Sequence, residues 1–215
     1  MTPVDNVLYF NDDIDIRLCL KNGYTTLRHA WLARYDPIYL EKLNGGQINS
    51  PSSSERYNMV MLKMDMWDQP FRRGSYRIAI KRDPVERFMS AIYYLEQTKL
   101  YYHHKYVKKN YIDLTHVDSK NINAVLDAFD NQLLRDEHFF SQSYFMGHPN
   151  DYDKVYYLHQ MPELLEWLER KTKCKTSFKG IWRNQNPSFD RVELSPDQQM
   201  RIIKMYAKDY ANGWY

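Results

Sequence analysis

The chain has 215 residues, 43% of them hydrophobic and 15% aromatic, with a formal net charge of +3. That is enough chain for one compact α/β domain with a real core, and the composition excludes a wholly disordered protein. So small a net charge gives no ground for expecting a nucleic-acid partner, and no apolar run reaches the roughly 18–20 residues that cross a bilayer.

The opening MTPVDNVLYFNDDIDIR is acidic and lacks the basic-then-apolar order of a signal peptide. A soluble, cytoplasmic protein is therefore expected. Residues 14–20, IDIRLCL, read as a strand rich in β-branched and apolar side chains. Cys19 inside it reads as a buried, reduced thiol, and Cys174 lies too far away in sequence to suggest a metal pair. The strand breaks at Lys21-Asn22-Gly23, and a helix begins near Tyr24 or Thr25. Residues 44–56, rich in Gly, Ser, Asn and Pro, read as a surface loop with the makings of a lid. Residues 57–68 fit helix and strand equally.

Residues 76–82, YRIAIKR, form a second strand. Asp83 then caps a helix, Pro84 suits its first position and Glu86 completes a capping box. Val85, Phe88, Met89, Ile92 and Leu95 fall on one helical face, with Ser90 on the other side. Residues 99–111 hold four lysines, two histidines and four tyrosines without an acid. That segment reads as a solvated basic loop or as a grip on an anionic or sugar acceptor. A helix is expected over 120–129, a third strand over 154–158, and a helix opened by Pro162 that ends in a basic turn. The last helix starts at Ser195-Pro196 with Gln198 in the capping-box position. Met200, Ile203, Tyr206, Ala207 and Tyr210 read as its buried face, and Gly213 as its stop. Alternating strands and helices predict an α/β fold, a parallel sheet covered on both faces, in a single domain over 1–215.

The chemistry concentrates after the first two strands. A helix N-terminus offers backbone N–H donors and a positive dipole end, and glycine lets the backbone approach an anion. Lys21, Gly23, Thr25 and Thr26 add a mobile charge and hydroxyl donors within six residues, which suits a phosphate-like group. The order is not that of a Walker A loop, because the lysine precedes the glycine. By itself the loop also fits an ordinary strand-to-helix turn. Arg82 at a strand's C-terminal end, where open α/β sheets bind ligands, and Ser90 two turns into the next helix supply a second anion site.

Strand–K-x-G-x-T-T–helix followed by a strand and R-D-P-x-E-R-x-x-S-A resembles the carbohydrate (heparan and chondroitin) sulfotransferases that use 3′-phosphoadenosine 5′-phosphosulfate (PAPS). The second motif matches at Arg82, Asp83, Pro84, Glu86, Arg87, Ser90 and Ala91. Asp136-Glu137-His138-Phe139 with Gln142 is similar to the family's His-aromatic-x-x-Gln segment. Tyr206-x-x-Asp209-Tyr210 with Gly213 and Tyr215 is similar to its closing helix. Leu20 departs from the pattern, standing where the family usually has proline. The resemblance implies a three-layer, phosphate-loop NTPase-like sulfotransferase fold. It assigns the 5′-phosphosulfate to Lys21, Asn22, Gly23, Tyr24, Thr25 and Thr26, and the 3′-phosphate to Arg82 and Ser90.

Lys21 is then the candidate for stabilising charge on the departing bridging oxygen. His138 is the candidate general base, with Asp65 and Asp68 as alternatives. No metal is expected. The acceptor is a hydroxyl or amine, read as a carbohydrate or small molecule. A Mg-ATP-dependent small-molecule kinase and a non-catalytic nucleotide or polyanion-binding module stay open beside this reading.

Overall fold

The computed structural model describes residues 7–11, 13–35, 71–98, 117–131, 136–179, 181 and 192–215. The protein is α/β, with a four-stranded mixed sheet flanked by helices. The strands are β1 (Val7–Phe10), β2 (Ile14–Arg17), β3 (Tyr76–Lys81) and β4 (Lys154–Tyr157), in the order β1-β2-β3-β4. The parallel expectation holds for β2, β3 and β4, with Ile16 opposite Ile78 and Ile80 opposite Tyr156. It fails at the edge, where β1 runs antiparallel to β2 and pairs Leu8 with Ile16. A hairpin joins these two strands so tightly that no crossover is available, and antiparallel pairing is the only outcome.

Contacts divide the chain into two compact units, Met1–Lys81 with Tyr144–Gln185, and Arg82–Ser143 with Asn186–Tyr215. In the first, strand alternation sends Leu8, Phe10, Ile14, Ile16, Ile78, Ile80 and Tyr156 to one face of the sheet. There they pack on Leu27, Ala30 and Ala33 of α1 (Tyr24–Tyr35) and on Leu164, Leu165 and Leu168 of α5 (Met161–Thr172). Asp15, on the opposite face, is fully buried. It accepts hydrogen bonds from the Arg72 backbone N–H and Nε, each at 2.7 Å, and from the Ser75 hydroxyl at 2.7 Å. Arg72 also donates to the carbonyls of Asn11 and Ile14, so one ion pair fastens the β1–β2 hairpin to the segment leading into β3.

The second unit is helical. Phe88, Ala91, Ile92 and Leu95 of α2 (Pro84–Thr98) meet Ile122, Val125 and Leu126 of α3 (Ser119–Asp130). Ile202 of α6 (Pro196–Met205) and Tyr206 complete that core. The expected capping box of α6 is present, Ser195 and Gln198 bonding reciprocally. The expected buried face is present only in part, since Tyr206 is buried and Tyr210 packs half-buried against the core but the other three residues do not. Met200 is 63% exposed, Ile203 is 36% exposed and Ala207 is exposed, whereas Gln198, Ile202, Tyr206 and Asp209 are buried. The Gln198 amide explains the rotation, because it donates to Ser119 O at 2.9 Å and to Asn123 Oδ1 at 3.0 Å on α3. These polar bonds fix which side of α6 faces inward. Beyond Tyr206 a short helix, α7 (Ala207–Ala211), ends at Gly213 with φ of 81°. Trp214 N–H donates to Asp209 O and Gly213 N–H to Tyr210 O, the paired bonds of a Schellman stop.

Candidate functional site

In the first unit, β2 runs out through buried Leu18 and Cys19 into a turn closed by Asn22 N–H donating to Cys19 O at 3.2 Å. Lys21 takes a φ of 68° while Leu20 stays outside the left-handed region. Positive φ at the third turn position alone is the sign pattern of a type II turn, whose second position favours proline and accepts other residues. Leu20 in place of the family's proline is therefore compatible with this turn. A lysine in left-handed backbone is strained by about 1–2 kcal/mol, and such strain collects at functional positions.

Asn22 is 1% exposed, and its Nδ2 donates to Ile80 O at 2.7 Å, tying the loop to the C-terminal end of β3. Gly23 follows with φ of 80°. A Cβ there would run into Cε of Met161, the first residue of α5, and would lie 3.2 Å from Leu158 Cδ1. Glycine is thus favoured by backbone conformation, and a Cβ would in addition oblige the flexible Met161 side chain to move aside. The Gly23 carbonyl accepts from Leu27 N–H at 3.0 Å, so Tyr24, Thr25 and Thr26 precede the first intrahelical donor of α1. Lys21, Tyr24 and Thr25 are partly exposed and Thr26 is buried. All six residues assigned from the sequence to the first anion loop form one continuous turn and helix start.

In the second unit, Asp83 Oδ1 accepts from Glu86 N–H at 2.8 Å, giving α2 its N-terminal cap. The Glu86 carboxylate lies 3.6 Å from Arg82 Nε. Burial pushes the Arg82 pKa below its ordinary value, and Glu86 offsets part of that. Arginine nonetheless stays protonated in proteins, so the result is a partly desolvated cation with 21% of its side chain exposed. Ser90 is half-buried one turn beyond Glu86 on α2, and Tyr94 lies one turn further still.

His138 packs against Tyr94, with ring centroids 4.7 Å apart. Its Nδ1 lies 2.7 Å from Asp136 Oδ1, which also accepts the His138 backbone N–H at 2.8 Å. A carboxylate at Nδ1 favours the proton there in the neutral ring, leaving the Nε2 lone pair for a substrate. His138 therefore belongs to the same unit as Arg82 and Ser90, packed on Tyr94, which lies one helical turn along α2 from Ser90. Lys21 belongs to the other unit. Asp65, Asp68, the 44–56 loop and the 99–111 segment lie outside the described residues.

The residue that sequence reasoning undervalued is Gln142, which opens α4 (Gln142–Met146). Its Oε1 accepts from Arg82 N–H and its Nε2 donates to Arg82 O, both at 2.9 Å. Gln142 N–H and Ser143 N–H donate to the two oxygens of Asp209, at 2.8 and 2.7 Å. Gln142 and Asp209 are fully buried. The neighbouring Tyr210 hydroxyl is pushed up to about 12, by burial first and then by the negative charge of Asp83. Arg87, read from the sequence only as part of a motif, is fully buried with its guanidinium carbon 5.7 Å from the centre of the Tyr206 ring. The only signals for these couplings were the motif positions themselves, since hydrophobic patterning is blind to buried polar groups.

Among the described residues no cluster of three or more His, Cys, Asp or Glu side chains is placed to hold a metal ion. No described helix is long and apolar enough to cross a membrane. No protein-family model, curated protein or solved structure gives a match to this chain.

Proposed function

We propose that this chain is a sulfotransferase that moves the sulfuryl group of PAPS to a hydroxyl or amine acceptor, a carbohydrate by preference. The observation that carries the reading is the hydrogen-bonded chain Arg82–Gln142–Asp209. Three separate segments resemble the sulfotransferases on sequence grounds: the R-D-P segment, the His-aromatic-x-x-Gln segment and the closing helix. One residue from each forms this chain, at 2.8–2.9 Å from donor to acceptor.

The donor chemistry of each segment fits its assigned role. The Lys21–Thr26 turn brings a strained lysine, a glycine at positive φ and a helix start together, as a 5′-phosphosulfate would need. Arg82 and Ser90 lie along the start of α2, where a cation and a hydroxyl suit a 3′-phosphate. Bound PAPS supplies the sulfuryl group and a leaving phosphate. The chain's own part is electrostatic. Lys21 opposes the negative charge that develops on the bridging oxygen, a contribution that grows toward the transition state. His138, oriented by Asp136, is the candidate to take the acceptor's proton at Nε2. In this reading the sheet and helices form the three-layer fold of the phosphate-loop sulfotransferases.

The experiment is transfer of radiolabelled sulfate from PAPS to a panel of oligosaccharides, amines and phenols. The proposal expects transfer to at least one acceptor and its loss in Lys21→Ala, with binding of 3′-phosphoadenosine 5′-phosphate largely kept. Unchanged turnover in Lys21→Ala would remove lysine from the mechanism.

A further inference from the structure

We infer that Gln142 is the positioning residue that gives this protein its preference for a 3′-phosphorylated nucleotide, acting through Arg82 and anchored by Asp209. The inference rests on the reading of the Arg82 segment as the 3′-phosphate site and goes beyond it by naming what holds that site in shape.

Arg82 directly follows the last residue of β3 and precedes α2. Its backbone N–H and C=O therefore lie at the junction of the two elements, and buried groups of this kind need partners. A primary amide is the side chain suited to serve both at once, because its oxygen accepts and its nitrogen donates. Gln142 does so with two bonds of 2.9 Å. The amide is itself immobilised, because its own backbone N–H is held by Asp209, a fully buried carboxylate that accepts two backbone N–H groups. The Arg82 guanidinium is restrained at its other end by Glu86. A cation clamped at its backbone loses little further freedom when it meets an anion, which favours the ligand carrying that anion. Glu86 has 55% of its side chain exposed, so a phosphate can displace it at small cost.

The test compares two nucleotides that differ only by the 3′-phosphate, 3′-phosphoadenosine 5′-phosphate and adenosine 5′-monophosphate. Their affinities are measured by calorimetry for the wild type, for Arg82→Ala, and for the isosteric Gln142→Glu, whose carboxylate cannot donate to Arg82 O. Expected is a clear preference for the bisphosphate in the wild type. That ratio falls by about tenfold in folded Gln142→Glu, about the discrimination one hydrogen bond to a charged group supplies. A folded Gln142→Glu that keeps the wild-type ratio overturns the inference while leaving the proposed function standing. Equal affinity of the wild type for both nucleotides overturns the 3′-phosphate reading itself. A measurement on the unaltered protein stands beside the variants. Hydrogen exchange of the Arg82 amide slows more with the bisphosphate than with the monophosphate, and equal protection counts against the clamp.

Discussion

Replacing Lys21 by glycine separates the conformational from the chemical role of the loop proposed to hold the 5′-phosphosulfate. Lys21 sits at φ of 68°, where an L-residue costs about 1–2 kcal/mol relative to ordinary backbone. Glycine removes that cost but adds unfolded-state freedom worth about 0.4–1 kcal/mol. Alanine keeps the Cβ and therefore the strain, and it deletes the same side-chain contacts that glycine deletes. The difference between Lys21→Gly and Lys21→Ala thus isolates the backbone term. Glycine is expected to be the more stable variant by about 0.5–1 kcal/mol, a rise of about 1–4 °C in Tm for a chain of this size. Thermal and urea unfolding measure it. If the proposed function holds, both variants lose sulfuryl transfer by about 10²–10³-fold, the range for removing one preorganised charge-stabilising group. A glycine variant no more stable than the alanine variant would show that Lys21 does not occupy left-handed backbone, and the argument for stored strain would fail.

The structure supports further tests. Asp15→Ala leaves Arg72 without its buried partner, and unfolding in urea is expected to show a loss of about 3–5 kcal/mol; a loss below about 1 kcal/mol contradicts the fastening role. Gly23→Ala meets positive φ and must also displace the flexible Met161 methyl, at a cost of about 1–2 kcal/mol set mainly by the backbone. In a double-mutant cycle with Met161→Ala the two losses combine to less than their sum, whereas strict additivity rules out the close contact. Tyr210 in the folded chain titrates near 12 against about 10 when unfolded. Between those values the folded state holds a proton that the unfolded state has released, so stability is fully present below about pH 10 and falls as pH rises toward 12. Tyr210→Phe should show a shallower alkaline loss, and an identical slope would refute the shift.

What could be read from the sequence follows from which forces leave a local pattern. Pro84 after Asp83 and Gln198 after Ser195 announce their helices, because caps act within four residues. β3 and β4 were legible as short apolar and β-branched runs. β1 was not, since Val7–Phe10 is a four-residue edge strand flanked in sequence by acidic residues, and its order comes from pairing with β2. The inward side of α6 was read correctly at Tyr206 and wrongly at Met200 and Ile203, because periodicity weighs apolar residues alone. It favours Met200 and Ile203, whereas Gln198 is buried by its three hydrogen bonds to α3. The same limit hid the second anion segment's support. Arg82 and Ser90 stand out by motif, but the bonds from Gln142 and Asp209 join positions 60 and 66 or more residues apart and follow no period.

Thermal unfolding in the presence of 3′-phosphoadenosine 5′-phosphate, ADP and Mg-ATP, each at the same concentration, tests the central claim most directly. A ligand at one hundred times its Kd adds about 2.7 kcal/mol to stability. The sulfotransferase account predicts a stabilisation of that order with the 3′-phosphorylated nucleotide and much less with the other two. No shift with 3′-phosphoadenosine 5′-phosphate, or a larger one with Mg-ATP, would contradict it and turn the Lys21 loop toward the kinase reading.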